Sequence, residues 1–104
     1  MNHVNLIGKI SSEPKVICLG NGKKLAQFSM STQETYLDEA GNTLKKDQSH
    51  RITAWGNWVA ILEELGQKGI QLAIEGKLVS RFYKNQAGDR KFITEVEIND
   101  LVIL

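Results

Sequence analysis

A single cysteine, Cys18, excludes an intrachain disulfide and suits a reducing compartment. With His3 and His50 as the only other soft ligands, no zinc spacing can be assembled. No run approaches the roughly 18 apolar residues of a membrane-spanning helix. The opening residues, MNHVNLIGKI, lack a cationic region and a small-residue cleavage site, and they alternate as a strand does, so no signal peptide is expected. Net charge is +1, which argues against binding nucleic acid through bulk positive charge alone and leaves room for a local basic groove. Catalytic signatures are equally scarce. GNGKK at 20–24 lacks Walker spacing and a following helix and reads as a turn. Glu63 and Glu64 are adjacent on a helix and diverge. Glu95 and Glu97 share a strand face, have no companion motif and are expected to be solvated. No nucleophile–base arrangement is recognisable, and the chain is not expected to be an enzyme or to hold a cofactor or metal.

What is present is period-two alternation. At 104 residues the chain is one domain. A first strand spans Asn2 to Ile10, with Val4, Leu6, Gly8 and Ile10 on one face. SSEP breaks it, a short strand covers Lys15 to Leu19, and Gly20-Asn21-Gly22 turns the chain. A second long strand runs from about Lys24 to Tyr36, with Ala26, Phe28 and Met30 in phase. The polar segment LDEAGNTLKKDQ reads as an extended hairpin loop, and Ser49 to Trp55 as the third strand. The period then changes: Asn57 offers an N-cap, and Trp58, Ile61, Leu62 and Leu65 follow at helical spacing. Gly66 and Gly69 provide exits. Ile70 to Lys84 is the fourth strand, NQAGD turns the chain, and Arg90 to Leu104 is the fifth. One helix between the third and fourth of five long strands predicts an all-β fold, the five-stranded Greek-key barrel known as the OB-fold, over residues 1–104.

If Ile52 and Ala54 face the core, then Arg51, Thr53 and Trp55 face out. On the fourth strand Lys77, Val79, Arg81 and Tyr83 share one side, opposite Leu78. Tyr36 enters a loop carrying Lys45 and Lys46, and Lys84, Arg90 and Lys91 flank the last hairpin. Interleaved rings and cations match the base faces and phosphates of single-stranded nucleic acid, where each stacked base contributes roughly 1–3 kcal/mol. Each of these residues also has a plainer reading. Trp55 and Tyr83 could close a barrel end, Phe82 could exchange roles with Tyr83, Tyr36 could pin a loop, and a lone surface cation is usually just solvated. Trp58 reads as the helix's anchor, and His50 as structural or as a subunit contact.

NHVNLIGKISSEPKV, AQFSMSTQETY, HRITAWG, GQKG after the helix, IEGKLVSRFY and TEVEI together resemble the bacterial single-stranded DNA-binding proteins of the homotetrameric OB-fold type. The resemblance covers essentially the whole chain. It implies a protein that protects and organises exposed strands in replication, recombination and repair, in the bacterial cytoplasm at the nucleoid. It implies base stacking at Tyr36, Trp55 and Tyr83, with Arg51, Lys68, Lys77, Arg81 and Lys84 near the strand's path. The family's fourth stacking position, before its His-Arg pair, is Ser49 here. His50 and the first strand around His3, Asn5 and Ile7 correspond to subunit contacts, implying a homotetramer built from dimers. Replication and repair proteins are expected as partners only with an acidic tail beyond Leu104. An OB-fold protein-interaction or primosome-like accessory module is the alternative.

Overall fold

Alternating apolar residues build six strands, and a change to helical spacing builds one helix: β1 Val4–Ile10, β2 Lys15–Cys18, β3 Lys24–Leu37, β4 Thr43–Trp55, α1 Asn57–Leu65, β5 Gln71–Lys84 and β6 Arg90–Ile103. They are described by a computed structural model covering residues 1–104. The hydrogen-bonded order is β1-β5-β6-β4-β3-β2, and β1 also pairs β3 through Lys9↔Ser31 and Ile10↔Met30. That second pairing closes the five long strands into a barrel, while short β2 rides on the edge of β3. All ladders are antiparallel except the short β4–β6 contact, Ile52↔Val96 and Thr53↔Glu97. The five-stranded OB-fold with one helix between the third and fourth long strands is therefore present.

The inside is filled by the in-phase residues Ile10, Ala26, Phe28, Met30, Ile52, Ala54, Leu72, Ile74, Val96, Ile98 and Leu101, with Val59 and Leu62 of α1 covering one end. Closure requires close backbone approach at two glycines. A Cβ on Gly8 would collide with the carbonyl of Ser31 at the β1–β3 seam. One on Gly76 would collide with the carbonyl of Glu97, beside the β-bulge at Glu75/Gly76.

Three expectations need correction. The segment LDEAGNTLKKDQ is mostly strand: β4 begins at Thr43 rather than Ser49, and only residues 38–42 turn the chain. There Asp38 Oδ1 accepts from the backbone N–H of Asn42 at 2.7 Å. A similar turn closes the β5–β6 hairpin, where Asn85 Oδ1 accepts from the N–H of Asp89 at 2.9 Å. Asn57 is the first residue of α1, not its cap. The cap is Gly56 at φ 64°, ψ −129°, backbone that only glycine adopts readily. Leu65 is exposed, because the helix turns Val59 and Leu62 inward and flanks them with Trp58 and Ile61. Both long hairpins project beyond the barrel, giving extents of 55 × 37 × 29 Å.

Candidate nucleic-acid interface

The outer wall is set by strand phase. On β5 the residues opposite the core phase are Lys77, Val79, Arg81 and Tyr83, paired with Glu97, Glu95, Ile93 and Lys91 of β6. On β4 the same face carries Arg51, Thr53 and Trp55, paired with Ser29, Gln27 and Leu25 of β3. β6 thus lies between the two strands that bear the candidate rings and cations. Lys91, opposite Tyr83, and Glu97, opposite Thr53, lie six positions apart along β6 (97 − 91). At about 3.3 Å per residue this is a wall of about 20 Å, and Trp55 lies two residues beyond Thr53.

Along this wall Arg51 and Lys77 are exposed, Arg81 and Trp55 are half-buried, and Tyr83 is 47% exposed. Lys84, opposite Arg90, is exposed toward the hairpin tip but shares the phase of Leu78 and not that of Tyr83. Trp55 and Tyr83 are therefore not sealed in the interior. Two further predicted residues stand elsewhere. Tyr36 is 47% exposed but follows the phase of Phe28 and Met30, opposite Leu44, so it lies on the inward-facing side of the projecting β3–β4 hairpin. Lys68 lies in the turn between α1 and β5, where its backbone N–H donates to Glu13 Oε1 at 3.1 Å.

A cleft of about 800 Å³ lies at the Trp55 end, lined by Lys23, Lys24, Trp55, Gly56, Glu97 and Ile98 among others. Lys23 and Lys24 belong to GNGKK, which by sequence alone reads only as a turn. Their neighbour Leu25 is the cross-strand partner of Trp55, so the β3–β4 register delivers them to the ring. That register depends on where the β3–β4 turn falls, which the polar segment disguised.

Thr53 and Glu95 also depart from expectation. Predicted to face solvent, both are buried, at 1% and 4% exposure. The Thr53 hydroxyl donates to Glu95 Oε2, and Arg81 Nε stands 3.8 Å from the same oxygen. On the β5–β6 hairpin, Phe82 and Phe92 form a tilted pair with centroids 5.2 Å apart, and the Arg90 guanidinium sits 4.7 Å over the Phe82 ring. This pair follows the core phase, opposite to Tyr83. Phe82 and Tyr83 are therefore not interchangeable.

The first-strand residues also sort by face. Asn5 and Ile7 are exposed on the outside of β1, His3 is exposed just before it, and Ile7 aligns with Ala73 and, through it, with Val102. Ile7 and Val102 are 65% and 55% exposed, which leaves an uncovered apolar row across three strands. His3 Nδ1 lies 3.9 Å from Glu75 Oε1. His50 is on the inward phase, half-buried, its Nε2 2.8 Å from the Thr32 hydroxyl.

A closed five-stranded barrel with one capping helix and an outer wall of rings and cations defines an oligonucleotide-binding barrel. The chain belongs to the single-strand binding protein family, whose description matches residues 1–104. It is 34% identical over 105 residues to single-stranded DNA-binding protein 1 of Chlorobaculum tepidum, an alignment covering all of this chain and 65% of that one. Among solved structures it resembles the Plasmodium falciparum SSB in complex with ssDNA, with TM-score 0.90 and 31% identity over 100% of this chain and 95% of the other. A deletion mutant of the single-stranded DNA binding protein from Thermus aquaticus shares the fold, with TM-score 0.88 and 24% identity over 100% of this chain and 50% of that one. The chain thus spans about two-thirds of the Chlorobaculum relative and half of the Thermus deletion-mutant chain.

Proposed function

We propose that this barrel binds single-stranded DNA without reading its sequence and without catalysis, coating exposed strands during replication, recombination and repair at the bacterial nucleoid. The carrying observation is the outer wall, on which half-buried Trp55 and exposed Tyr83 bracket Arg51, Lys77 and Arg81. Rings take base faces and cations take phosphates, and duplex DNA, which hides its base faces, is disfavoured without any sequence code. Lys23, Lys24 and Lys84 extend the basic path at its two ends. Tyr36 takes a base where a strand crosses the β3–β4 hairpin. Membership of the single-strand binding family and the likeness to an SSB captured with ssDNA support this reading.

The protein assembles through the outside of β1, using His3, Asn5 and the Ile7–Ala73–Val102 row, with His50 at a further contact, into a homotetramer built from two dimers. Several weak patches joined by one strand gain effective concentration. The test is a titration of oligo-dT into a Trp58→Phe background, so that Trp55 alone reports. Quenching at low salt that is relieved at high salt is expected, and an unchanged signal at low salt overturns the reading. The exposed apolar face of Leu78, Phe82 and Phe92 favours a second reading, an OB-fold protein-interaction or primosome-like accessory module. Such a module would leave Trp55 unquenched.

A further inference from the structure

Glu95 is the one carboxylate buried in the wall that the proposed strand crosses. It lies in the middle strand of that wall, opposite half-buried Val79, and its side chain is only 5% exposed. A buried carboxylate is costly unless it is hydrogen-bonded and paired. Both conditions are met from the two neighbouring strands: Thr53 of β4 donates its hydroxyl, and Arg81 of β5 brings its Nε to 3.8 Å. The same three residues tie β4, β6 and β5 together at the level where the barrel wall gives way to the free hairpins. The Arg81 side chain keeps 41% of its surface exposed, so the guanidinium faces the carboxylate below and solvent above.

We propose that Glu95 is a charge-setting and positioning residue for strand binding. It holds Arg81 in place and offsets part of its charge, so that Arg81 meets a phosphate as a reduced cation and the strand is held less tightly than the visible cations imply. The inference rests on the single-strand reading given above. It follows from charge placement: a phosphate approaching Arg81 also approaches the buried negative charge beneath it, in a region where water screens that charge poorly. For a protein that must let go of a strand as readily as it covers it, a built-in counter-charge limits affinity without removing any contact.

Glu95→Gln isolates the effect, because glutamine keeps the shape and still accepts from Thr53 while losing the charge. Wild type, Glu95→Gln, Arg81→Ala and the double variant are titrated with oligo-dT between about 50 and about 200 mM salt, the range over which phosphate contacts dominate affinity. Glu95→Gln is expected to bind severalfold tighter at low salt, with a slope steeper by up to about 0.7, the contribution of one freed cation on a single strand. Arg81→Ala bares the carboxylate to the strand and is expected to lose more than about tenfold in affinity, beyond the loss from Lys77→Ala. Adding Glu95→Gln to Arg81→Ala should recover most of that loss, which a merely structural glutamate would not do. A Glu95→Gln slope no steeper than wild type, or a double variant binding no better than Arg81→Ala, overturns the proposal while the function stands. Wild type that fails to bind oligo-dT overturns the function and this inference together. Should Glu95→Gln fail to fold, Arg81→Ala against Lys77→Ala decides: an Arg81→Ala loss no larger than that of Lys77→Ala sinks the proposal.

Discussion

Trp55 stands directly opposite Leu25 in the β3–β4 ladder, and Leu25 stands opposite Ile17 of β2. Leu25 is buried although it lies outside the core phase, because these two neighbours flank it on the same face. Trp55 therefore has an apolar support on one side and the cleft with Lys23 and Lys24 on the other. A ring fixed on one side and open on the other loses little freedom when a base stacks on it. Trp55→Ala is expected to weaken oligo-dT binding by roughly 1–3 kcal/mol, with the barrel intact by circular dichroism. Unaltered affinity in a folded Trp55→Ala protein would remove the ring from the binding path.

The seam between β1 and β3 makes a separate prediction about stability. Gly8 has no room for a Cβ because the carbonyl of Ser31 occupies that space, and the blocking atom is backbone that cannot rotate away. Gly8→Ala is expected to cost roughly 1–3 kcal/mol, in line with other overpacked sites. Gly20, where nothing lies within 4 Å, is the control, and Gly20→Ala should melt with wild type. Thermal unfolding followed by circular dichroism compares the two, and equal midpoints would mean the seam is looser than drawn.

Much of this architecture is written in the period-two pattern. Ala26, Phe28 and Met30, then Ile52 and Ala54, alternate because one face of each strand must leave water, and that regularity survives without knowing which strands meet. What the pattern misses depends on non-local register. Thr53 and Glu95 sit in outward phase and are polar, so alternation sends both to solvent. They bury each other because β4 and β6 pair in parallel for a few residues, a contact formed 42 residues apart in sequence. Lys23 and Lys24 reach Trp55 through the β3–β4 register, which a polar segment with strand geometry concealed. Position near a strand end groups Tyr36 with Trp55. Its phase, shared with Phe28 and Met30, puts it on the other side of the same hairpin. Leu65 satisfied helical spacing, but the nine-residue helix presents only Val59 and Leu62 squarely to the barrel.

Lys77 tests the electrostatic half of the mechanism independently of the rings. It is exposed and has no carboxylate within ion-pair distance, although Glu97 is its cross-strand partner. Lys77→Ala should flatten the plot of log affinity against log salt by about 0.7 and leave the ranking of oligo-dT, oligo-dC and oligo-dA unchanged. A change in base ranking with the slope preserved would make Lys77 a base contact rather than a phosphate contact.

The row Ile7–Ala73–Val102 carries the last prediction. Ile7 is 65% exposed and Val102 55%, so the outside of β1, β5 and β6 presents apolar surface to water beside His3 and Asn5. Ile7→Asp removes little from the core, because the side chain points away from it, and the melting behaviour of each barrel should change only modestly. In the proposed subunit contact a carboxylate at this position would be left buried and unpaired, which interfaces do not tolerate. Light scattering is therefore expected to show a smaller particle for Ile7→Asp than for wild type. Long oligo-dT should then bind more weakly than wild type, while short oligo-dT confined to one barrel binds about equally, since only the long strand draws on linked sites. An unchanged particle mass would move the subunit contact away from β1.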